Sequence, residues 1–289
     1  MPSLRDIKRR IASVKNTQQI TNAMKMVSAA KLQRAQERVM AARPYAEHMQ
    51  VVVQHLQARV RPTAHPLLTP RPEGKTLLLV LTSDRGLCGG FNSNVQRAAA
   101  EKIRELGATQ VDSIALGKKG RDFLTYRQLP VREAYTELFV RQVAYEQARE
   151  VALKLLAAYE HEGYQQVLVV YNRFRSAMVQ QVTILRLLPL STQVSAEAEP
   201  EEPFDYLYEP SAPQVLDRLL RKQIEVQLFQ VFLESFAGEH GARMTAMDSA
   251  TENATEMIAN LTLTFNRARQ AAITKELIEV VSGADALRG

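Results

Sequence analysis

The chain of 289 residues contains one cysteine, Cys88, and no apolar run that approaches the roughly eighteen residues of a membrane span. A single cysteine excludes an internal disulfide and fits a reducing compartment. The short apolar runs predict that no segment crosses a bilayer. The basic N-terminus leads directly into a charged helical pattern without an apolar core or a cleavage site, which argues against a secretion signal.

The sequence also lacks the patterns that mark catalytic, nucleotide and metal sites. The five histidines show no metal-ligand spacing with cysteine or acidic residues. Cys88 has no neighbouring base, so we interpret it as a small buried hydrophobe. The glycine loop at 86–90 has neither the GxGxxG spacing nor the GK[ST] of a P-loop, and the next strand ends in Gly117-Lys-Lys without a ribose-binding acid. We expect a structural strand-to-helix turn there, and no catalytic residue, cofactor, metal or small-molecule substrate.

Acidic residues are scarce in the first sixty positions. Eleven Lys or Arg stand against three acids, a surplus of eight positive charges, although the whole chain carries only +6. A basic segment favours an acidic partner, which could be nucleic acid, a lipid surface or an acidic protein face. A solvated helix face has the same composition, so charge alone leaves these alternatives open.

Both ends of the chain show the apolar spacing of long helices. In the first segment the seam-like steps of three and four fall on Leu4, Ile7, Ile11, Val14, Gln18, Thr21, Lys25, Ser28, Leu32, Ala35, Val39, Ala42, Ala46, Met49, Val53 and Leu56. In the last they fall on Met247, Ala250, Ala254, Met257, Leu261, Thr264, Ala268, Ala271 and Ile278. At ~1.5 Å per residue these helices would be roughly 80 and 105 Å long, too long for a compact domain. We therefore expect an antiparallel helical shaft.

One part of the first seam is polar. Gln18, Thr21, Lys25 and Ser28 occupy core positions, and three apolar residues stand beside them: Ile20, Met24 and Val27. Lysine in a core position costs stability, so we expect the seam either to change register here or to open toward a partner.

The middle of the chain alternates short apolar runs with helical patterns, which indicates an α/β layer with mostly parallel strands. We predict strands at 76–82, 111–116, 166–174 and 179–190, weaker strands at 130–132 and 206–208, and an exposed acidic loop at 195–205. We predict helices at 95–106, 120–127 and 140–161, and a final helix from Ser211 to Gly283 that includes Gly238 and Gly241. The predicted domains are 1–60 and 211–285, which pair as a coiled coil, and an inserted Rossmann-like α/β domain at 74–208.

Three long segments resemble the gamma subunit of F-type ATP synthases: MPSLRDIKRRIASVKNTQQITNAMKMVSAAK, LTSDRGLCGGFN, and ARMTAMDSATENA with FNRARQAAITKELIEVVSGA. The resemblance runs through the whole chain in order. It implies a non-catalytic rotor shaft that turns inside a hexameric ring of alpha and beta subunits and couples proton flow to ATP synthesis. The body would join the epsilon subunit and the c-ring of the membrane sector.

The resemblance also implies which residues touch the ring. The positions that match the family's ring contacts are Met24 and Lys25 on the first helix, and Arg269, Gln270 and Thr274 on the last. Small apolar residues from Val280 to Leu287 would slide in an apolar sleeve. The chain begins directly at the predicted shaft, without a transit peptide, so we expect a bacterial protein bound peripherally at the cytoplasmic face of the membrane. The short acidic stretch and lone Cys88 predict no thiol control.

Two other functions stay open at this point. A basic coiled-coil protein could bind nucleic acid, although charge and heptads share one segment here, unlike a bZIP reader. An α/β enzyme with helical arms is the other alternative, and the missing phosphate-binding patterns weaken it.

Overall fold

A computed structural model describes residues 3–59, 65–139, 142–190, 209 and 211–286. The N- and C-terminal regions of the chain are long helices and its central region contains a mixed sheet, which confirms the predicted fold class. In chain order the elements are α1 Leu4–Arg59, β1 Thr76–Leu81, α2 Phe91–Leu106, β2 Val111–Leu116, α3 Lys118–Tyr126, β3 Glu133–Tyr135, α4 Tyr145–His161, β4 Gln166–Phe174, β5 Gln180–Leu188 and α5 Ala212–Ala286.

The sheet has the strand order β3-β2-β1-β4-β5. The first four strands are parallel, and β5 pairs antiparallel with β4. All six residues of β1 are buried, because helices cover both faces at the centre of the sheet. The order changes direction beside β1, and the carboxyl ends of β1 and β4 meet at the crevice where open α/β sheets bind ligands.

Different helices cover the two faces of the sheet. The face toward α2 and α3 is built from Leu78, Val80, Val95, Ala99, Ile103, Val111, Ala115, Leu124, Leu168 and Val170. Side chains alternate along a strand, so Tyr171 of β4 points to the other face. Its hydroxyl donates to Glu234 of α5 at 3.2 Å, which places α5 on that face.

The structure corrects several predicted boundaries. The α2 helix begins at Phe91 instead of residue 95, and α4 begins at Tyr145 instead of residue 140, after the extended residue Ala144. The third strand is Glu133–Tyr135 and not 130–132, since Pro130 has no N–H to give to a ladder. The predicted acidic loop at 195–205 and the predicted strand at 206–208 lie outside the described residues.

The final helix is continuous through both of its internal glycines. A Cβ atom at Gly241 would lie 3.1 Å from the backbone Cα and oxygen of Ala177. At Gly238 it would lie 3.3 Å from the Phe91 ring. These glycines let α5 pass close to the loops at the carboxyl edge of the sheet. Close approach is therefore the observed role of both glycines.

The first helix follows its predicted seam. Every predicted seam position whose side chain the structure describes is buried or half-buried. Ser3 caps the helix, because its hydroxyl accepts the Asp6 N–H at 3.2 Å and donates to the Asp6 carboxylate at 2.8 Å. These hydrogen bonds lower the pKa of Asp6. Pro44 lies inside α1, which the apolar spacing did not indicate.

The chain forms two compact units, Met1–Ser28 with Met244–Gly289, and Ala29–Arg243. We call them the shaft unit and the body unit. The predicted domain limits of 1–60, 74–208 and 211–285 remain a prediction, since residues 60 and 191–208 are not described. Within the described ranges, no helix combines the length and apolar character that a bilayer crossing requires.

Candidate partner-binding surfaces

Polar side chains join α1 to α5 inside the shaft unit. The three pairs are Gln18 with Thr255, Thr21 with Thr251, and Lys25 with Asp248. The joining distances are 2.7, 2.7 and 2.5 Å in that order. Each step up α1 is matched by a similar step down α5, so the helices are antiparallel. Of the two expected alternatives, the change of register does not occur, because the seam continues straight through its polar positions.

Each hydroxyl of the Thr21–Thr251 pair also has a carbonyl acceptor in its own helix. The Thr21 hydroxyl lies 3.0 Å from the Gln18 carbonyl oxygen and the Thr251 hydroxyl lies 2.7 Å from the Met247 carbonyl oxygen, so either threonine can be the donor between the helices. Lys25 and Asp248 are each more than a third exposed, and such a pair contributes only ~0–1 kcal/mol. Polar core pairs of this kind specify register and orientation more than they add stability.

The seam of α5 follows its prediction at Met247, Ala250, Ala254, Leu261 and Ala268, which are buried or half-buried. Five further positions from 247 onward are half-buried that the prediction did not name: Asp248, Thr251, Ile258, Phe265 and Ala272. The predicted positions Met257, Thr264, Ala271 and Ile278 are exposed. Alanines at 250, 254, 268 and 271 make the faces of α5 similar in hydrophobicity. The apolar pattern therefore did not determine which face of this helix is buried.

An apolar stripe lies on α1 beside its polar seam. Ile20 is 60% exposed, Val27 is 58% exposed, and Met24 between them is half-buried. Residues at i, i+4 and i+7 share one helix face, so the three side chains form a continuous strip. We call Ile20, Met24 and Val27 the apolar stripe. Over this stretch the amphipathic pattern of α1 is inverted, with polar residues inside and apolar residues outside.

The predicted contacts on α5 lie near the N-terminal end of α1. Continuing the register of the polar pairs places Leu4, where α1 begins, opposite the turn around Arg269. Arg269, Gln270 and Thr274 are all exposed, and the Thr274 hydroxyl donates to the Gln270 carbonyl at 3.0 Å. Beyond this turn α5 exposes five large apolar side chains: Ile273, Leu277, Ile278, Val280 and Val281. We call residues 269–281 the tip surface.

The predicted ring contacts form two groups that do not touch. Lys25 pairs with Asp248, and Arg269 lies 21 residues further along α5. At ~1.5 Å per residue the two groups are roughly 30 Å apart along the shaft unit. Any single partner that touches both groups must therefore be long, or two parts of an assembly must touch one group each.

In the body unit, α5 closes the carboxyl edge of the sheet. The buried Arg243 side chain donates to the Gly86 carbonyl at 3.3 Å and to the Arg85 carbonyl at 3.5 Å. Asn172 of β4 donates to the Phe91 carbonyl at 2.8 Å. The carbonyl groups of Arg85, Gly86 and Phe91 thus accept hydrogen bonds from side chains of α5 and β4.

Buried charge surrounds that contact. Arg243 forms an ion pair with Glu239 at 2.7 Å. Burial raises the pKa of Glu239, and the Arg243 guanidinium opposes that rise. Burial, together with the positive charges of Arg243 and Lys31, lowers the pKa of His240 to about 3. Burial also raises the pKa of the Cys88 thiol, which matches its interpretation as a small buried hydrophobe.

The glycine loop presents an apolar tip that sequence reasoning missed. Leu87 is 64% exposed and has a φ of 61°, a left-handed conformation that leucine rarely adopts. Exposed cations surround it: Arg85 on the same loop, and Lys118 and Lys119 at the start of α3. The Lys118 N–H donates to Asp84 at 2.8 Å, which holds the two loops side by side. No sequence pattern signals the positive φ of Leu87.

The described residues contain no group of three or more His, Cys, Asp or Glu side chains arranged to hold a metal ion. Among the described residues, three exposed surfaces could contact a partner: the apolar stripe, the tip surface and the tip of the glycine loop.

Comparison with known proteins covers the whole chain. A family model described as ATP synthase matches residues 3–287. The ATP synthase gamma chain of Geotalea uraniireducens is 50% identical over 293 residues, and that of Geobacter metallireducens is 51% identical over 293 residues. Both alignments include 100% of each chain.

Two solved assemblies contain chains of similar fold. A chain of the Euglena gracilis mitochondrial ATP synthase in rotational state 3 matches with a TM-score of 0.68 and 19% identity, over 98% of this chain and 94% of that one. A chain of the Tetrahymena thermophila central stalk and c-ring matches with a TM-score of 0.61 and 24% identity, over 80% and 99%. At these identities the two matches bear on the fold.

Proposed function

Because the chain belongs to the ATP synthase gamma family, we propose that it turns inside a ring of alpha and beta subunits and carries rotation between that ring and a membrane sector. A gamma subunit is the central rotor shaft and a non-catalytic component of its complex, and this holds for the chain. The observation that carries the proposal is the full-length match at 50% identity to a gamma chain.

The tip surface supports a grip by the ring. Arg269, Gln270 and Thr274 are exposed where α1 begins, and the apolar residues beyond them have no α1 partner in the continued register. An apolar helix end can slide in an apolar sleeve, because dispersion contacts have no preferred angle. The polar side chains of Arg269, Gln270 and Thr274 can break a contact with one ring subunit and form one with the next, because an exposed ion pair contributes only ~0–1 kcal/mol.

The apolar stripe supports a second grip at Met24. An exposed apolar strip on a helix is a feature of partner contacts, and Lys25 adds one positive charge beside it. Lys25 also forms an ion pair with Asp248, so its positive charge would interact both with Asp248 in the shaft unit and with an acidic loop of the ring. Met24 and Lys25 would contact the lower part of the ring, because the helix rise separates them from the tip surface by roughly 30 Å.

The body unit would join the epsilon subunit and the c-ring. The basic tip of the glycine loop, with Leu87 at its centre, suits an acidic and partly apolar segment of another subunit. The complex would sit at the cytoplasmic face of a bacterial membrane, with this chain as a peripheral subunit and protons as the coupling ion.

The nucleic-acid alternative has no support from the comparisons. Part of the positive charge of α1 is already used within the protein. Arg38 donates to Gln142 at 2.5 Å and to the Val143 carbonyl at 3.2 Å, and Lys25 pairs with Asp248. These contacts leave fewer cations for phosphates, which account for most non-specific nucleic-acid affinity.

Two experiments test the proposal. An affinity-tagged chain recovered from native membranes should bring down alpha, beta, epsilon and c subunits in one ATP-hydrolysing complex. Recovery without alpha and beta subunits would overturn it. In the assembled complex, Met24→Asp and Arg269→Ala should each reduce proton-driven ATP synthesis severalfold. Thr262→Ala, an exposed change on the same helix as Arg269, serves as the matched control and should leave synthesis unchanged.

A further inference from the structure

The polar seam and the apolar stripe of α1 occupy neighbouring faces of one helix. Successive residues are ~100° apart around a helix, so Ile20 adjoins Thr21 and Met24 adjoins Lys25. A turn of α1 by one residue about its own axis would therefore exchange the two faces. Ile20, Met24 and Val27 would enter the seam, and the polar residues would leave it.

Burial of apolar surface alone favours the turned setting. Three large apolar side chains would leave water, which is the main favourable contribution to helix pairing. The observed setting opposes this because α5 presents polar partners at matching heights: Asp248, Thr251 and Thr255. In the turned setting these groups would face apolar side chains and lose their hydrogen bonds and ion pair to α1, while the two threonine hydroxyls would keep only the carbonyl acceptors within α5.

We propose that Asp248, Thr251 and Thr255 are positioning residues that fix the rotational setting of α1 and so keep its apolar stripe facing outward. They act through Lys25, Thr21 and Gln18, and need not touch a partner themselves. The role of the stripe as a ring contact rests on the proposed function. The control of the helix setting by the polar pairs does not rest on it, and can be measured separately.

The setting of α1 can be read by disulfide formation in the assembled complex on a Cys88→Ser background. Val14→Cys with Ile258→Cys reports the observed setting, since both residues are half-buried in the seam. Ile20→Cys with Ala254→Cys reports the turned setting. With the native polar residues we expect the first pair to form a disulfide and the second pair to stay reduced.

The test variant changes α5 alone: Asp248→Leu, Thr251→Val and Thr255→Val. It leaves every residue of α1 in place, including Met24. We expect the Val14–Ile258 cross-link yield to fall at least threefold and the Ile20–Ala254 cross-link to appear. The matched control, Glu252→Leu with Thr262→Val and Thr264→Val, makes the same kind of change at exposed positions and should keep the native pattern.

If the apolar variant does not assemble, exchanging the charges of Asp248 and Lys25 provides a second test. Asp248→Lys alone should lose the native cross-link, and adding Lys25→Asp should restore it. The inference is overturned if the apolar variant keeps the native pattern, or if the exchanged pair recovers no more cross-link than the single change. Native cross-links combined with normal ATP synthesis in Met24→Asp would instead count against the proposed ring contact.

Discussion

Arg243 and Glu239 form an ion pair one turn apart on α5, at the point where this helix passes the glycine loop. Both side chains are largely removed from water. The pair is thus part of a buried contact in which one guanidinium satisfies a carboxylate and two backbone carbonyls.

Replacing Arg243 by Gln should destabilise the protein strongly. The change leaves the Glu239 carboxyl buried without its partner, and breaking a buried pair in this way costs about 3–5 kcal/mol. Urea unfolding of the purified chain measures the loss. Arg121→Gln removes the partner of Asp122 in an exposed pair and should cost less than about 0.5 kcal/mol. Equal losses in the two variants would contradict the prediction.

The buried imidazole of His240 should make stability depend on pH. Its pKa is about 3 in the folded protein against an ordinary value of 6.5, so between these values the unfolded chain binds a proton that the folded chain does not. The free energy of unfolding should therefore fall as pH falls from 6.5 toward 3, by up to about 1.4 kcal/mol per pH unit from this group.

His240→Gln isolates that contribution. The difference in unfolding free energy between the native chain and this variant should be constant above pH 7 and should shift in favour of the variant below pH 6.5. Urea titrations at half-unit pH steps measure it. A difference that stays constant down to pH 4.5 would refute the role of His240, whatever the other carboxyl groups contribute.

Alanine at Gly241 should destabilise α5, although alanine ordinarily favours a helix by about 1 kcal/mol over glycine. The new methyl group would press on the Ala177 backbone, and overpacking of this kind costs about 1–3 kcal/mol. In Gly238→Ala the new methyl group would meet side-chain atoms instead of backbone at close range, the Phe91 ring at 3.3 Å and Gln180 Cγ at 3.4 Å, and the change should cost less. Thermal unfolding of the two variants gives the order, and the reverse order would contradict the packing described.

Replacing Leu87 by glycine should affect folding stability and subunit binding differently. Leu87→Gly relieves a left-handed residue, which is worth about 1–2 kcal/mol, against a chain-entropy cost of about 0.5–1 kcal/mol. The free energy of unfolding should stay equal or rise slightly. Assembly with the epsilon subunit and the c-ring should weaken, because the exposed Leu87 side chain is part of the proposed contact. Lower stability with full assembly would contradict both parts.

The sequence predicted the elements whose pattern reflects burial. The α1 seam follows its three-and-four spacing, and the strand at 111–116 has the predicted limits because both its faces are buried. The helix starts at Phe91 and Tyr145 were misplaced, since neither follows a recognisable capping residue: Gly90 and Ala144 precede them without a side-chain cap. Ends without a capping signal are set by tertiary packing.

The partner-binding surfaces were harder to predict from the sequence than the helices and strands. The inverted pattern of α1 was visible as polar residues at core positions, but the sequence could not say whether the register moved. The answer depended on Asp248, Thr251 and Thr255, more than two hundred residues away. Leu87 was missed because its exposure comes from the path of a loop that Arg243 anchors.

The carboxyl ends of β1 and β4 differ from a ligand-binding site in which groups make contacts there. In sheets of this topology that position is open to a small molecule, whose phosphates lie against backbone amides. Here the Arg243 side chain of the same polypeptide hydrogen-bonds the loop that follows β1, with its own counter-ion one turn away. A contact within one polypeptide cannot diffuse away, so it persists at any metabolite concentration and is suited to mechanical work.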